Sequence, residues 1–360
     1  MTSAVSTRSL GPLALGWSGV AALAIIAPDP SQSLAASVAW LVAIVTVIVV
    51  CAFGVLGHAE ELARRLGDPY GTLVLTLSIV TIEVALIGAV LFGPGDNETV
   101  ARDATMAAAV LFPGLFLGVG LLIGTLRHGP LQFNRSGLSS YLTMLIALGS
   151  IAFVLPGFIG VDGAYTTGQA ILVVLTTAGA YGFFLWQQIG PRARDFQEVT
   201  ALRVEQETPS TSPAWLHGLI LFLTAAPIVV LSHDMAGLLD TVLARTSAPV
   251  ALSGLLITTI VMLPEGLTTL RAAWFGEIQR VSNLTHGAMV SVVGLTIPTV
   301  LTIGLITGQH IVFAESATNI AFLAILALIS LSILGAKRAT PVHAVVLLVV
   351  SLMYLVSVFS

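Results

Sequence analysis

Long apolar runs separated by short polar breaks dominate the pattern of this chain. Eleven such runs can be counted, over residues 11–28, 34–57, 71–93, 104–126, 138–159, 168–189, 214–232, 248–273, 284–307, 316–335 and 341–359. Each is close to the roughly 20 residues a helix needs to cross the hydrocarbon core of a bilayer. The first run follows Arg8 and could be mistaken for a leader. It ends in Pro28-Asp29-Pro30 without a small-residue cleavage site, so it is read as a retained helix. The longest polar segment, 190–213, carries both signs of charge and a Pro/Ser/Thr tail. It reads as a cytoplasmic linker between 1–189 and 214–360.

Charge placement sets the expected orientation. With the N-terminus inside and the runs alternating, twelve of the fourteen basic residues fall in inner loops, and only Arg102 and Arg245 fall outside. The positive-inside rule predicts this bias for eleven helices with a cytoplasmic N-terminus and a periplasmic C-terminus. Helices 2–6 (34–189) and 7–11 (214–360) form two sets of five, and an odd number per set makes them insert upside down relative to each other. A shift of 182 positions places Glu83 on Glu265, Thr76 on Thr258 and Leu73 on Leu255. The expected fold is an all-α polytopic membrane protein, with an N-terminal region (1–33) carrying helix 1, followed by two inverted five-helix repeats.

Composition agrees. The chain is 56% hydrophobic and 9% charged, where a soluble domain carries about 25% charged residues. Cys51 is the only cysteine, which excludes an intramolecular disulfide and any multi-cysteine metal site. No basic patch with interleaved aromatics points to nucleic acid. The bilayer is the expected partner, and a homo-oligomer is left open.

Of 18 acidic residues, all but Glu83 and Glu265 fall in loops or at segment ends. A charge at bilayer depth costs roughly 2.5–3.5 kcal/mol on insertion scales, so an intramembrane carboxylate is a functional candidate by default. Hard cations want oxygen ligands. The same carboxylates are proton sites whose affinity rises with burial and with a second carboxylate nearby. Metal and protons therefore compete for one coupled pair of groups. Thr72, Thr76 and Glu83 lie close to one helical face, as do Thr258 and Glu265. Pro264 frees a backbone carbonyl beside Glu265. A lone buried Glu can also be inert, and membrane threonines usually bond their own backbone.

Helix 4 carries Gly114, Gly118, Gly120 and Gly124, and helix 9 carries Gly287, Gly294 and Gly304. Close helix packing is the first meaning of such small residues; exposure of backbone to a site is the second. Ser291 and Thr296 of helix 9 are candidate ligands. His58, Glu60 and Glu61 stand at the inner end of helix 2, either as a solvated helix end or as an acidic vestibule that attracts cations or senses pH. Glu315 could do the same outside. His128, His217, His233, His286, His310 and His343 show no ligand spacing and are assigned nothing.

The stretches HAEELARRLGDPYGTLVLTLSIVTIEVALI and ITTIVMLPEGLTTLRAAWFGEIQRVSNLTHGAMVSVVGLTIP resemble the bacterial calcium/proton antiporter branch of the cation/calcium exchanger superfamily. The resemblance implies that Glu83 and Glu265 form a central cation site, that helices 2 and 7 gate it, and that no cofactor is used. The superfamily has Gly-Asn just upstream of each glutamate; here Val80-Thr81 and Met262-Leu263 stand there. The expectation is an inner-membrane antiporter exporting Ca2+, or Na+ or K+, for H+. A Na+ or K+/proton antiporter with little calcium activity, a passive cation channel and a membrane-embedded enzyme are the alternatives.

Overall fold

The computed structural model describes residues 7–26, 33–66, 70–91, 98–199, 213–247, 249, 251–336 and 338–359. Among these, eleven helices carry the chain, and the only extended pairings are isolated bridges. They are α1 Thr7–Ile25, α2 Leu34–Leu66, α3 Tyr70–Leu91, α4 Val100–His128, α5 Arg135–Ile159, α6 Thr167–Ile189, α7 Ala214–Thr246, α8 Ala251–Trp274, α9 Ile278–Thr307, α10 Ala317–Ala336 and α11 Pro341–Val358. Nine of them, α2 and α4–α11, are long and apolar enough to cross a membrane, while α1 and α3 hold shorter apolar stretches, Leu10–Ile25 and Val80–Ala89. The protein is an all-α multi-pass membrane protein. Linker residues 200–212, with Glu205 and Glu207, lie outside the described residues; 193–196 form a single 3-10 turn.

The helices match the apolar runs closely, with two extensions. α2 continues past residue 57 to Leu66, and α7 past 232 to Thr246, so both reach 33 residues. The added turns carry His58–Arg65 in one and His233, Asp234, Asp240 and Arg245 in the other. A helix does not stop where its apolar run stops when good helix formers follow.

The chain divides into two compact units. The first comprises residues 1–100 and 207–264, and the second residues 101–206 and 265–360. In the first, α2 and α7 form the broadest packing, with α1 and α3 against both. Gly54 and Gly16 permit it: a Cβ on Gly54 would meet Pro12, and one on Gly16 would meet Cys51 and Pro227. The buried Cys51 is a packing residue here, its thiol 3.4 Å from the Pro12 carbonyl. Trp17 Nε1 donates to the Leu223 carbonyl at 3.1 Å, pinning α1 to α7.

In the second unit the glycines of α4 pack helices on two sides. A Cβ on Gly114 or Gly118 would collide with Ser351 or Leu348 of α11, and one on Gly120 would press on Val281 of α9. Thr166 with Gln169 and Thr340 with His343 form capping boxes that start α6 and α11. His343 thus has a structural role.

Three helices of this unit contain π-helical turns: Leu111–Phe116 in α4, Ser150–Val154 in α5, and Asn283–Gly287 and Val292–Thr296 in α9. Three of the four have a proline within them or two residues beyond, at Pro113, Pro156 and Pro298. A proline lacks its N–H and crowds the carbonyl four residues back, which a wider turn relieves. The turn Asn283–Gly287 has no such proline.

Candidate functional site

Glu83 and Glu265 both lie inside apolar helices and both are buried, each 3% exposed. Glu83 belongs to α3, and Val80, Ile82, Leu86 and Ile87 around it are buried. Glu265 belongs to α8, one residue after the buried Pro264, and the helix continues through both. Thr258, two turns before Glu265, is buried. Thr76 lies in α3, and its side chain is outside the described residues. Thr269 donates its hydroxyl to the Glu265 carbonyl at 2.9 Å. A Cβ on Gly266 would overlap the Phe116 ring, so α8 meets the π turn of α4 directly beside Glu265.

α9 follows α8 after a three-residue reversal, in which Gly276 takes a positive φ of 78° that suits glycine. Its buried side chains include both predicted candidates. Ser291 donates to the Gly287 carbonyl at 2.9 Å and accepts from the Tyr181 hydroxyl at 2.9 Å. Thr296 is fully buried. A polar chain nearby has no counterpart in the sequence pattern. Gln188 Nε2 donates to the Tyr141 hydroxyl at 2.9 Å, and Tyr141 donates to Asn283 Oδ1 at 3.3 Å. Gln279 Nε2 reaches the same Asn283 oxygen at 3.0 Å, and Asn283 Nδ2 donates to the Phe196 carbonyl at 2.8 Å. This chain ties α5, α6 and α9 to the turn that opens the linker. Tyr141, Tyr181, Phe184 and Phe196 pack around it.

His58, at the far end of α2, meets His217 of α7: the two Nδ1 atoms are 3.0 Å apart, and both rings are buried. One must donate and the other accept. His217 was assigned nothing on spacing, because 159 residues separate the pair. Glu61 pairs with Arg65 at 3.1 Å, an i,i+4 contact, and Glu60 is half-buried on the same stretch. The end of α2 therefore combines internal ion pairing with a buried imidazole contact, rather than being merely a solvated terminus.

Glu315, just before α10, is buried too, its side chain 2% exposed. Its Oε2 accepts from Asn319 Nδ2 at 2.8 Å and from the Ser316 N–H at 3.0 Å, and Arg102 Nε lies 3.6 Å from Oε1. Arg102 also pairs with Asp103 at 2.9 Å. Burial raises the Glu315 carboxyl above its ordinary range and Asp103 adds to this, against the pull of Asn319, Arg102 and Ser316.

Comparison with known proteins assigns the lineage. The sodium/calcium exchanger protein family matches residues 36–190. The chain is 33% identical over 275 residues to the sodium-potassium/proton antiporter ChaA of Escherichia coli (strain K12), covering 74% of each. It is 30% identical over 310 residues to a putative ionic transporter of Sinorhizobium fredii, covering 84% of each. Among solved structures, native YfkE superposes with a TM-score of 0.75 at 12% identity, over 98% of this chain and 99% of that one. The H+/Ca2+ exchanger CAX gives 0.74 at 14% identity, over 97% and 87%. With that fold and those relatives, this chain belongs to the cation/calcium exchanger superfamily.

Proposed function

We propose that the protein is a proton-coupled cation antiporter in which Glu83 and Glu265 serve one exchange cycle, holding a cation in one half and protons in the other. The observation that carries this is a buried carboxylate in the middle of an apolar helix, once in α3 and once in α8. Such groups are costly in a bilayer unless they work. The 182-residue offset between them and the equal lengths of α2 and α7 support two inverted five-helix repeats, 34–189 and 214–360. The range matched by the exchanger family, 36–190, coincides with the first of these sets.

The cargo is a hard cation. Calcium is the sequence expectation, and the name of the Escherichia coli relative favours Na+ and K+ as additional or alternative cargo. Thr258, the Pro264-linked backbone, Ser291 and Thr296 supply further oxygens in this reading, with Thr76 as the counterpart of Thr258. α2 and α7 act as the gating helices. The protein sits in the bacterial inner membrane with its N-terminus cytoplasmic, which places the His58 end of α2 inside and Glu315 outside. It is a transporter and not an enzyme, and it needs no cofactor.

The test is exchange in everted vesicles, read with a pH-sensitive dye on addition of calcium, sodium or potassium. Glu83→Gln and Glu265→Gln should each abolish exchange while inserting normally. Full exchange by either variant refutes the assignment, and cation flux without proton movement would identify a channel.

A further inference from the structure

His286 is 1% exposed, inside α9. Its Nδ1 lies 3.2 Å from the Ser282 hydroxyl, and its ring stacks on Tyr141 with centroids 6.3 Å apart. Its Nε2 has no hydrogen-bond partner among the described residues. A buried orphan nitrogen is rare and calls for a reason. The backbone around it is unusual as well, since Asn283–Gly287 is the one π turn without a proline to force it. Such turns gather at functional sites.

Position supplies the reason. Glu265 lies nine residues before the end of α8 at Trp274, and His286 lies eight residues after the start of α9 at Ile278. At 1.5 Å per residue both stand about 12–14 Å from the turn that joins them. They are level to within about one helical turn. The π turn of α4 adjoins both: Phe116 abuts Gly266, and Leu111–Phe116 packs on Asn283–Gly287. The chemistry of the side chain narrows the role. Imidazole is a poor ligand for Ca2+, Na+ or K+, which take oxygen, but it binds and releases protons near neutral pH. The Ser282 hydroxyl donates or accepts at Nδ1 with equal ease, so it follows either state of the ring.

We infer that His286 is a third proton-binding group of the exchange pathway, loading and unloading at Nε2 alongside the Glu265 carboxyl. This rests on the antiport reading above. Among the described elements packed on this turn, α5 presents Tyr141 and the α4 turn presents no ionisable group; α8 carries Glu265 and Arg271, and the start of α9 carries Glu277 and Arg280.

Metal binding to protonated ligands releases protons. Two carboxylates release at most about two per divalent cation, and a third group raises the ceiling to about three. The experiment counts protons displaced as CaCl2, NaCl or KCl is titrated into the full-length protein in weakly buffered detergent solution across pH 5.5–8.5. It pairs this with the pH profile of exchange in proteoliposomes. His286→Asn, which keeps a polar group near Ser282, and His286→Leu should both still exchange. Both should displace fewer protons, by up to one per cation, with a flatter pH profile. A structural role would be rescued by Asn; a proton-binding role would not. Proton counts and pH profiles in both variants that superimpose on those of the wild type overturn the inference. So does a wild-type count that stays at the carboxylate ceiling at every pH, and this holds even if the variants fail to fold. Survival of exchange in Glu265→Gln would sink the antiport reading instead, so the two failures are distinguishable.

Discussion

Ser291 and Tyr181 offer a perturbation whose size can be worked out atom by atom. Tyr181 donates to Ser291 Oγ at 2.9 Å, Ser291 donates to the Gly287 carbonyl at 2.9 Å, and both side chains are buried. Tyr181→Phe removes the donor, but Ser291 keeps its bond to Gly287 and loses only an occupied lone pair. Interhelical hydrogen bonds in membrane proteins are worth about 0.6 kcal/mol on average and about 1.7 at most, so a cost near the average is expected. Ser291→Ala strands the Tyr181 hydroxyl, a buried donor, at about 1–3 kcal/mol. Ser291→Ala should therefore be the costlier change, by about 0.4 kcal/mol or more. The double variant should cost less than the sum, because removing both partners strands nothing. Equilibrium unfolding in SDS/dodecylmaltoside mixed micelles, followed by tryptophan fluorescence, measures all three. Equal costs, or strict additivity, would refute the reasoning. The same variants ask whether Ser291 touches cargo: Ser291→Ala should weaken cation affinity, whereas Tyr181→Phe should leave it unchanged.

Two further outcomes concern packing and pH. Gly118→Leu drives a side chain into Leu348 and the Ala344 carbonyl of α11; overpacking of about 1–3 kcal/mol should lower the thermal midpoint, and a midpoint equal to wild type would contradict the α4–α11 contact. Glu315, raised by burial above the ordinary 4.5, contributes stability that is present below that value and lost as pH rises through its folded-state value. The difference in midpoint between Glu315→Gln and wild type should therefore move in favour of the variant from acid to alkaline pH; a constant or opposite trend would sink this account.

Much of the fold was legible because a bilayer imposes one simple requirement. Each span must be apolar and long enough, and the runs that met this became helices at nearly the expected residues. The misses lie where hydropathy stops being the governing rule. α2 and α7 run on through His58–Arg65 and His233–Arg245, because helix propensity continues after the apolar run has ended. The π turns left no mark beyond their prolines, and Asn283–Gly287 left none at all. Glu83 and Glu265 were legible because an acid is conspicuous in a run such as LSIVTIEVALI. His217 and His286 were not, because each stands alone in sequence. What makes them notable is a partner 159 residues away in one case and a missing partner in the other.

The hydroxyl candidates show why a correct local expectation did not settle a functional question. Threonine in a membrane helix is expected to bond its own backbone, and Thr269 donates to the Glu265 carbonyl and Thr285 to Val281; Ser291 does the same to Gly287. That habit counts against a hydroxyl only when a ligand needs its proton. A cation needs lone pairs. A hydroxyl has one donor and two lone pairs, so spending the proton on the backbone turns the oxygen into a fixed acceptor. Thr269 keeps both lone pairs after its bond to Glu265, whereas Ser291 has yielded one to Tyr181. By this count Thr269, one turn beyond Glu265, is better equipped than Ser291 to serve a hard cation. An oxygen held this way would need no reorientation as a cation arrives or leaves.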